Sequence, residues 1–492
     1  MKLLLVNSPI SYEDTTGMFS GIRDDMKMLP TGLGYLAAYV RKQGITVAVL
    51  DQYAECLPFE QVFQRIDEFK PDLIGYSATT PNYNAAINFV RRVKQRNPHI
   101  PAVMGGYHPS VMPHETIREP EVDFVVRDEG EQILLELCMA LSDGKSDFGH
   151  IRGLTYKDAT GIHHNPPAKK LNLDDLPTPA YDLLPMHLYS SPSFSKFATP
   201  VYQMIASRGC PFTCSFCINA EMDVSALYRR RNPELVLDEM EMLVDQYHAR
   251  QIQFWDSIFT LGEKHTLEIC EGIIKRGLHK KIVWSCTTRA ELVTEEMVKM
   301  MVAAGCKGIG FGIESGVPEL LRSVGKKSDL KKVEKACKVA RRHGLVVFAS
   351  FIFGFPDETR ETVRQTIEFA KRIDLHYAQF SIMTPYPGTP LYKELMASGK
   401  IKPEPDNDFR RYNQSVGLTD FEPVFVPDRI TAEELKAFQK DAYIQFYLRP
   451  KMVLMHLPHI NLAKLKGMII SLFAVLKLAF DKTTNLFGMN QG

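Results

Sequence analysis

Two long blocks of the chain alternate short apolar or β-branched runs with amphipathic stretches. From Met1 to about Ser142, the runs KLLLVN, TVAVLD, DLIGYSAT, PAVMGG and VDFVVRD are separated by amphipathic stretches such as GLGYLAAYVRKQG and NAAINFVRRVKQR. That alternation predicts a doubly wound parallel sheet of about five strands, an α/β fold of the flavodoxin or Rossmann type. Ligands of such sheets sit beyond the carboxyl ends of the strands. Asn7, Ser77 to Thr80 and Gly105 to Ser110 fall on those ends. After Tyr202 the rhythm resumes in VYQMIAS, QIQFWD, IVWSCTT, GIGFGIE, VVFASFIFG and YAQFSIM. Six strand–helix units predict a partial, TIM-like (β/α)6 barrel, because a closed one takes eight.

Between the blocks the character changes. GLTYKDATGIHHNPP reads as a hairpin and LDDLPTPAYDLLP as a proline-punctuated connector. The expected units are therefore a sheet domain over 1–142, a hairpin and linker over 143–200, a barrel over 201–400 and a mostly helical region over 401–492. No internal repeat or low-complexity tract is visible.

Composition narrows the class. With 492 residues, 45% hydrophobic and 24% charged, the chain is neither disordered nor fibrous. Lys plus Arg number 59 against 58 acidic residues, so no net field points to nucleic acid as a partner. The short apolar start of MKLLLVNSPI is no secretory signal, and a cytoplasmic location is expected. HINLAKLKGMIISLFAVLKLAFDK, with a candidate helix over 461–480, carries an apolar run of about ten residues, or ~15 Å of helix, too short to cross a bilayer. It is expected either to lie at the inner membrane surface, its lysines reaching outward, or to pack on the barrel.

Six of the nine cysteines are scattered, mostly among apolar neighbours, where a thiol acts as a small hydrophobe. The other three, Cys210, Cys214 and Cys217, stand as CxxxCxxC in SRGCPFTCSFCINA, directly after a strand. Three thiolates so close in sequence can converge on one soft metal centre. Structural zinc would want a fourth ligand, and His248 and Cys270 lie at least a helix away. An iron–sulfur cube held by three thiolates instead leaves one iron open to a small molecule.

With Phe216 ahead of its last cysteine, this motif resembles that of the radical S-adenosylmethionine (SAM) enzymes. QFWDSIFT, the arginine of TTRA, GFGIESG, FIFGFPDET and TPYPGTPLY resemble the later strand-end motifs of the cobalamin-binding subgroup, as do PTGLGYLAAYVRKQG and MGGYHPS upstream. The resemblance covers nearly the whole chain. It implies a [4Fe-4S] cluster on Cys210, Cys214 and Cys217, SAM on the open iron, cobalamin on the sheet domain, and an electron donor such as flavodoxin or ferredoxin. The activity it implies is methylation of an unactivated carbon of a small, lipid-like or tetrapyrrole substrate. A 5′-deoxyadenosyl radical would activate that carbon, and cobalt would carry the methyl group from a second SAM. The same resemblance leaves open an oxidative cyclase of the anaerobic magnesium-protoporphyrin monomethyl ester type. Methylthiotransferases need three further amino-terminal cysteines, whereas that region has only Cys56 and Cys138. From another class, a non-catalytic metal- or corrinoid-binding module remains the alternative.

By the same resemblance, Asp256 lies by the SAM amine, Arg289 by its carboxylate or ribose, and Glu314 by its ribose or amine, while Gly354 and Pro356 turn past adenine. The plain structural alternative makes Asp256 a cap and pairs Arg289 with Glu314. Asn7, Ser77, Thr79, Gly105, Gly106, Tyr107 and His108 form the expected corrin edge. The DxHxxG signature is missing, so His108 is either a lower cobalt ligand or, as expected here, a loop or surface residue. No acid–base catalyst stands out, and Arg410, Arg411, Tyr412 and Tyr447 are expected at the surface.

Overall fold

The computed structural model describes residues 1–8, 27–192, 195–220, 228–404, 408–412 and 422–452. Its first sheet has seven strands: β1 (Lys2–Asn7), β2 (Thr46–Asp51), β3 (Leu73–Ser77), β4 (Ala102–Gly105), β5 (Phe124–Val126), β6 (Leu154–Asp158) and β7 (Gly161–His164). They run in the order β2-β1-β3-β4-β5-β6-β7. The first five are parallel, as the apolar runs predict, with crossover helices that bury one stripe each. The hairpin assigned to the linker joins this sheet, because β6 pairs antiparallel with β5 and β7 with β6. The sheet therefore extends past residue 142 to His164.

The second sheet comprises β8 (Val201–Met204), then, beyond a two-stranded ribbon of β9 (Ser207–Arg208) and β10 (Arg229–Arg230), β11 (Gln251–Phe254), β12 (Val283–Thr288), β13 (Cys306–Glu314), β14 (Val346–Phe353) and β15 (Tyr377–Ile382). Its six strands follow the order β15-β14-β13-β12-β11-β8, all parallel and open between β8 and β15. Along β14, buried Val347, Phe351 and Phe353 alternate with half-buried Phe348, Ser350 and Ile352. One face thus packs on helices while the other lines a concave interior. Trp284, fully buried on the helix side, stands edge-on to Phe254 and donates to the Ala304 carbonyl at 2.8 Å.

The connector is part of the packing. Ser191 donates to Gln253 at 2.6 Å and accepts from Gln203 at 2.9 Å, while the Phe197 amide donates to Gln251 at 2.7 Å. These contacts close the barrel's interior near the amino ends of β8 and β11. At the other side, β15 would leave a bare edge, a liability for any sheet. Helix Ala432–Tyr447 covers it with Gln439, Tyr443 and Tyr447, spaced i, i+4 and i+8 so that they share one face. Gln439 donates to the Phe380 carbonyl at 2.7 Å, and the hydroxyls of Tyr443 and Tyr447 bond both backbone groups of Phe380 and Ala378. Tyr447 is thus an edge cap and Tyr412 is fully buried, whereas Arg410 and Arg411 do sit on the outside, paired with Asp408 and Glu404. Among the described residues no helix is long and apolar enough to cross a membrane. The candidate interfacial helix 461–480 lies outside them.

Candidate functional site

The cysteine loop leaves β9 at Arg208 and is pinned at several points. The Cys217 amide donates to the Cys214 carbonyl at 2.9 Å, the Ser215 amide to Val324 at 2.9 Å, and the Leu391 amide to Ser215 at 2.9 Å. Phe216 rests edge-on against Phe355 at 5.7 Å. The three thiols lie within electrostatic reach of one another: Cys214 feels Cys210, and Cys217 feels both. Burial raises all three pKa values, that of Cys217 to about 11, while Arg289 and Lys326 pull those of Cys210 and Cys214 back down. Two cations within reach of Cys210 and Cys214 offset part of that burial cost and favour the thiolate form a cluster needs at those two positions. Among the described residues no three His, Cys, Asp or Glu side chains converge as they would around a single ion. The donor set, three thiols on one short loop, matches what a cluster with one open iron takes from the protein.

Lys326, which sequence reasoning passed over, is the residue that organises this edge. It is 5% exposed, donates to the Gly312 carbonyl at 2.9 Å and pairs with Glu314 at 3.0 Å. Glu314 adopts φ +71°, a left-handed conformation costly for a side chain with a Cβ, and also accepts from Ser350 at 3.4 Å. The expected Arg289–Glu314 pair is therefore replaced by Lys326–Glu314. Arg289 instead lies 3.9 Å over the ring of Phe212 in the cysteine loop and donates to the Lys327 carbonyl at 3.0 Å. The only hint in the sequence was a lysine following the turn glycine, Gly325.

Asp256 is enclosed by the protein's own hydrogen bonds. It is 2% exposed and accepts from the Ala206 amide at 3.1 Å and from the Ser207 hydroxyl, so its carboxylate braces the strand that leads into the cysteine loop. Burial raises its pKa to about 6. The helix that follows is capped at Gly262, so Asp256 braces Ala206 and Ser207 and is not a helix cap. Trp255, next to it, is 49% exposed. At the end of β14, Gly354 takes φ +96°, and the Gly354 and Phe355 amides both donate to Glu358. Glu358, another residue sequence reasoning missed, is fully buried, and its pKa is pushed up to about 8. It closes the Gly354–Pro356 turn from within.

On the first sheet, Asn7, Asp51, Ser77 and Gly105 end neighbouring strands in one register row. Asn7 donates to Asp51 at 2.9 Å, Asp51 also accepts from Tyr189 at 2.7 Å, and Thr79 bonds Asn82. At Gly106, φ is +95° and a Cβ would stand 2.6 Å from the Ala78 carbonyl, so only glycine fits the strand-end turn. Tyr107, which follows that turn, is 48% exposed. His108 has no accessible surface. It is held by Thr80 at 3.1 Å and packed between Tyr83 and Phe409, and burial lowers its pKa to about 3. A ring enclosed in this way offers no face to cobalt, and it is not at the surface either.

Comparison with known proteins agrees with this two-part layout. The B12 binding domain matches residues 23–138 and the Radical SAM superfamily residues 204–370. An uncharacterized methyltransferase of Pyrococcus horikoshii is 38% identical over 86% of this chain and 89% of its own. The anaerobic magnesium-protoporphyrin IX monomethyl ester cyclase of Rubrivivax gelatinosus is 31% identical over 85% of this chain and 74% of its own. The radical SAM methyltransferase TsrM of Kitasatospora setae, solved with cobalamin and a [4Fe-4S] cluster, shares the fold at a TM-score of 0.69 and 20% identity, over 92% of this chain and 89% of that one.

Proposed function

The chain belongs to the B12-binding radical SAM family, and from that premise we propose that it methylates an unreactive carbon of a small molecule. Its cofactors are a [4Fe-4S] cluster, SAM and cobalamin, which together supply an electron, a radical source and a methyl carrier. The supporting observation is the ion pair that joins the sheet domain to the start of the cysteine loop, Glu131 with Arg208 at 2.7 Å, since chemistry that uses all three needs their sites on one cavity.

Cys210, Cys214 and Cys217 would hold the cluster. Lys326 and Arg289 are the cations available to a carboxylate such as that of SAM. The Gly354–Pro356 turn, closed by Glu358, presents backbone to adenine. Ser77, Gly105 and Gly106 form the floor proposed for the corrin, while half-exposed Trp255 and Tyr107 would exclude water once covered. The electron donor is a flavodoxin or ferredoxin. The substrate is lipid-like or a tetrapyrrole, a class supported by the name of the cyclase relative.

Anaerobic turnover with methyl-deuterated SAM and a cell extract tests the reading. Deuterium should pass into a metabolite that cells without the protein lack. An oxidised product carrying oxygen from labelled water, and no deuterium, would make the chain a cyclase. Iron and corrin bound without SAM consumption would make it a binding module.

A further inference from the structure

The ribbon that opens the cysteine loop sets two like charges against each other. β9 and β10 pair so that Arg208 stands directly opposite Arg229, an arrangement unfavourable by itself. Each side chain is only 17% exposed, so water screens them poorly. The compensating charge comes from the other domain, from the RDEGE segment after β5. Glu131, 4% exposed, bonds Arg208 at 2.7 Å. Glu129 bonds Arg229 and stands 3.9 Å from Arg208. Asp128 takes Lys170. Arg208 also lies 5.1 Å over the ring of Tyr35, again from the sheet domain. Arg208 stands two positions before Cys210 in the chain, with only Gly209 between them. This ion-pair group therefore lies on the seam between the corrin edge and the cysteine loop.

We propose that Glu129, Glu131, Arg208 and Arg229 form an interdomain clamp that sets the spacing between cobalamin and cluster, with Glu131 and Arg208 as positioning residues. The clamp rests on both cofactors being bound and not on which product is made, so the outcome of the labelling experiment leaves it untouched. A buried ion pair is a poor source of stability compared with apolar packing, and its best-attested use is to fix registry. Registry matters here because a displacement of about 1 Å between reacting groups can cost about 100-fold in rate. Without the sheet domain's carboxylates, the Arg208–Arg229 ribbon would splay and carry Cys210 with it.

Pulsed electron paramagnetic resonance on the anaerobic holoenzyme, reduced so that cluster and cob(II)alamin each carry an unpaired spin, reads their dipolar coupling. In Glu131→Gln, iron and corrin contents should match the wild type while the coupling broadens and loses its resolved splitting. Arg276→Gln, which removes an outer-helix ion pair with Glu234 and Asp238, should leave the coupling unchanged. Arg208→Lys keeps the charge but loses the planar fork whose two terminal nitrogens reach Glu129 and Glu131 separately, and the same broadening is expected. Wild-type coupling in either variant that retains both cofactors overturns the proposal. Loss of a cofactor from both variants overturns it as well, because the ion pairs would then serve folding and not spacing.

Discussion

At the carboxyl edge of the first sheet the polar side chains are already engaged with one another: Asn7 and Tyr189 on Asp51, Thr79 on Asn82, and His108 enclosed beside Thr80. At the corresponding edge of the barrel, Cys210 and Cys214 lie within electrostatic reach of Lys326 and Arg289, and Trp255 stands half exposed. The contrast separates two ways of holding a cofactor. The sheet domain offers a surface of backbone and small residues, shaped by Gly106, to which a corrin would fit by shape. The barrel offers side chains whose charge and sulfur form bonds. Loss of one corrin-edge side chain should therefore be tolerated, and loss of one barrel-edge side chain should not.

The largest effect expected is at the thiols. Cys210→Ser, Cys214→Ser or Cys217→Ser should each abolish the brown colour, iron binding and SAM cleavage while corrin binding survives. Iron analysis alongside the corrin spectrum checks this, and corrin loss in step with iron would break the separation just drawn. Next comes Lys326→Met, which leaves Glu314 buried without its cation. Denaturant unfolding should show a loss of about 3 kcal/mol, and SAM affinity measured by calorimetry should fall with it.

The two regions should also respond to pH with opposite sign. His108 has a pKa of about 3 when folded and 6.5 as its ordinary value, so between those pH values the unfolded chain binds the extra proton and stability rises with pH. Glu358 has a folded value of about 8 against 4.5, so the native state holds the proton and stability falls as pH rises from 4.5 to 8. Each slope reaches at most about 1.4 kcal/mol per pH unit. His108→Phe should flatten the acid limb of the stability profile, and Glu358→Gln the alkaline limb. The cob(II)alamin resonance of His108→Phe should match the wild type; an altered nitrogen splitting would return His108 to the cobalt. The smallest effect should be that of Arg276→Gln, whose partners Glu234 and Asp238 are 69% and 61% exposed, at about 0.5 kcal/mol in the same unfolding assay.

The sequence by itself determined what depends on short spacing. The strand rhythm predicted five parallel strands and then six, and CxxxCxxC placed three thiols on one loop, because periodicity and loop reach are local properties of the chain. It also located the ends of β1, β3 and β4 at Asn7, Ser77 and Gly105, since strand ends can be read from where apolar runs stop. Tertiary structure decided who partners whom. The hairpin after residue 142 could be recognised as a hairpin, but only the exposed edge of β5 drew it into the sheet. Asp256 and His108 looked like ligand contacts until burial turned one onto the Ala206 amide and enclosed the other against Phe409. Lys326 gained its role by packing beside Glu314, and Glu131 gained its own from an arginine 77 positions away. A charge in a sequence carries no record of which distant charge it will meet. That choice is made when the core closes and leaves each buried ion only a few partners within reach.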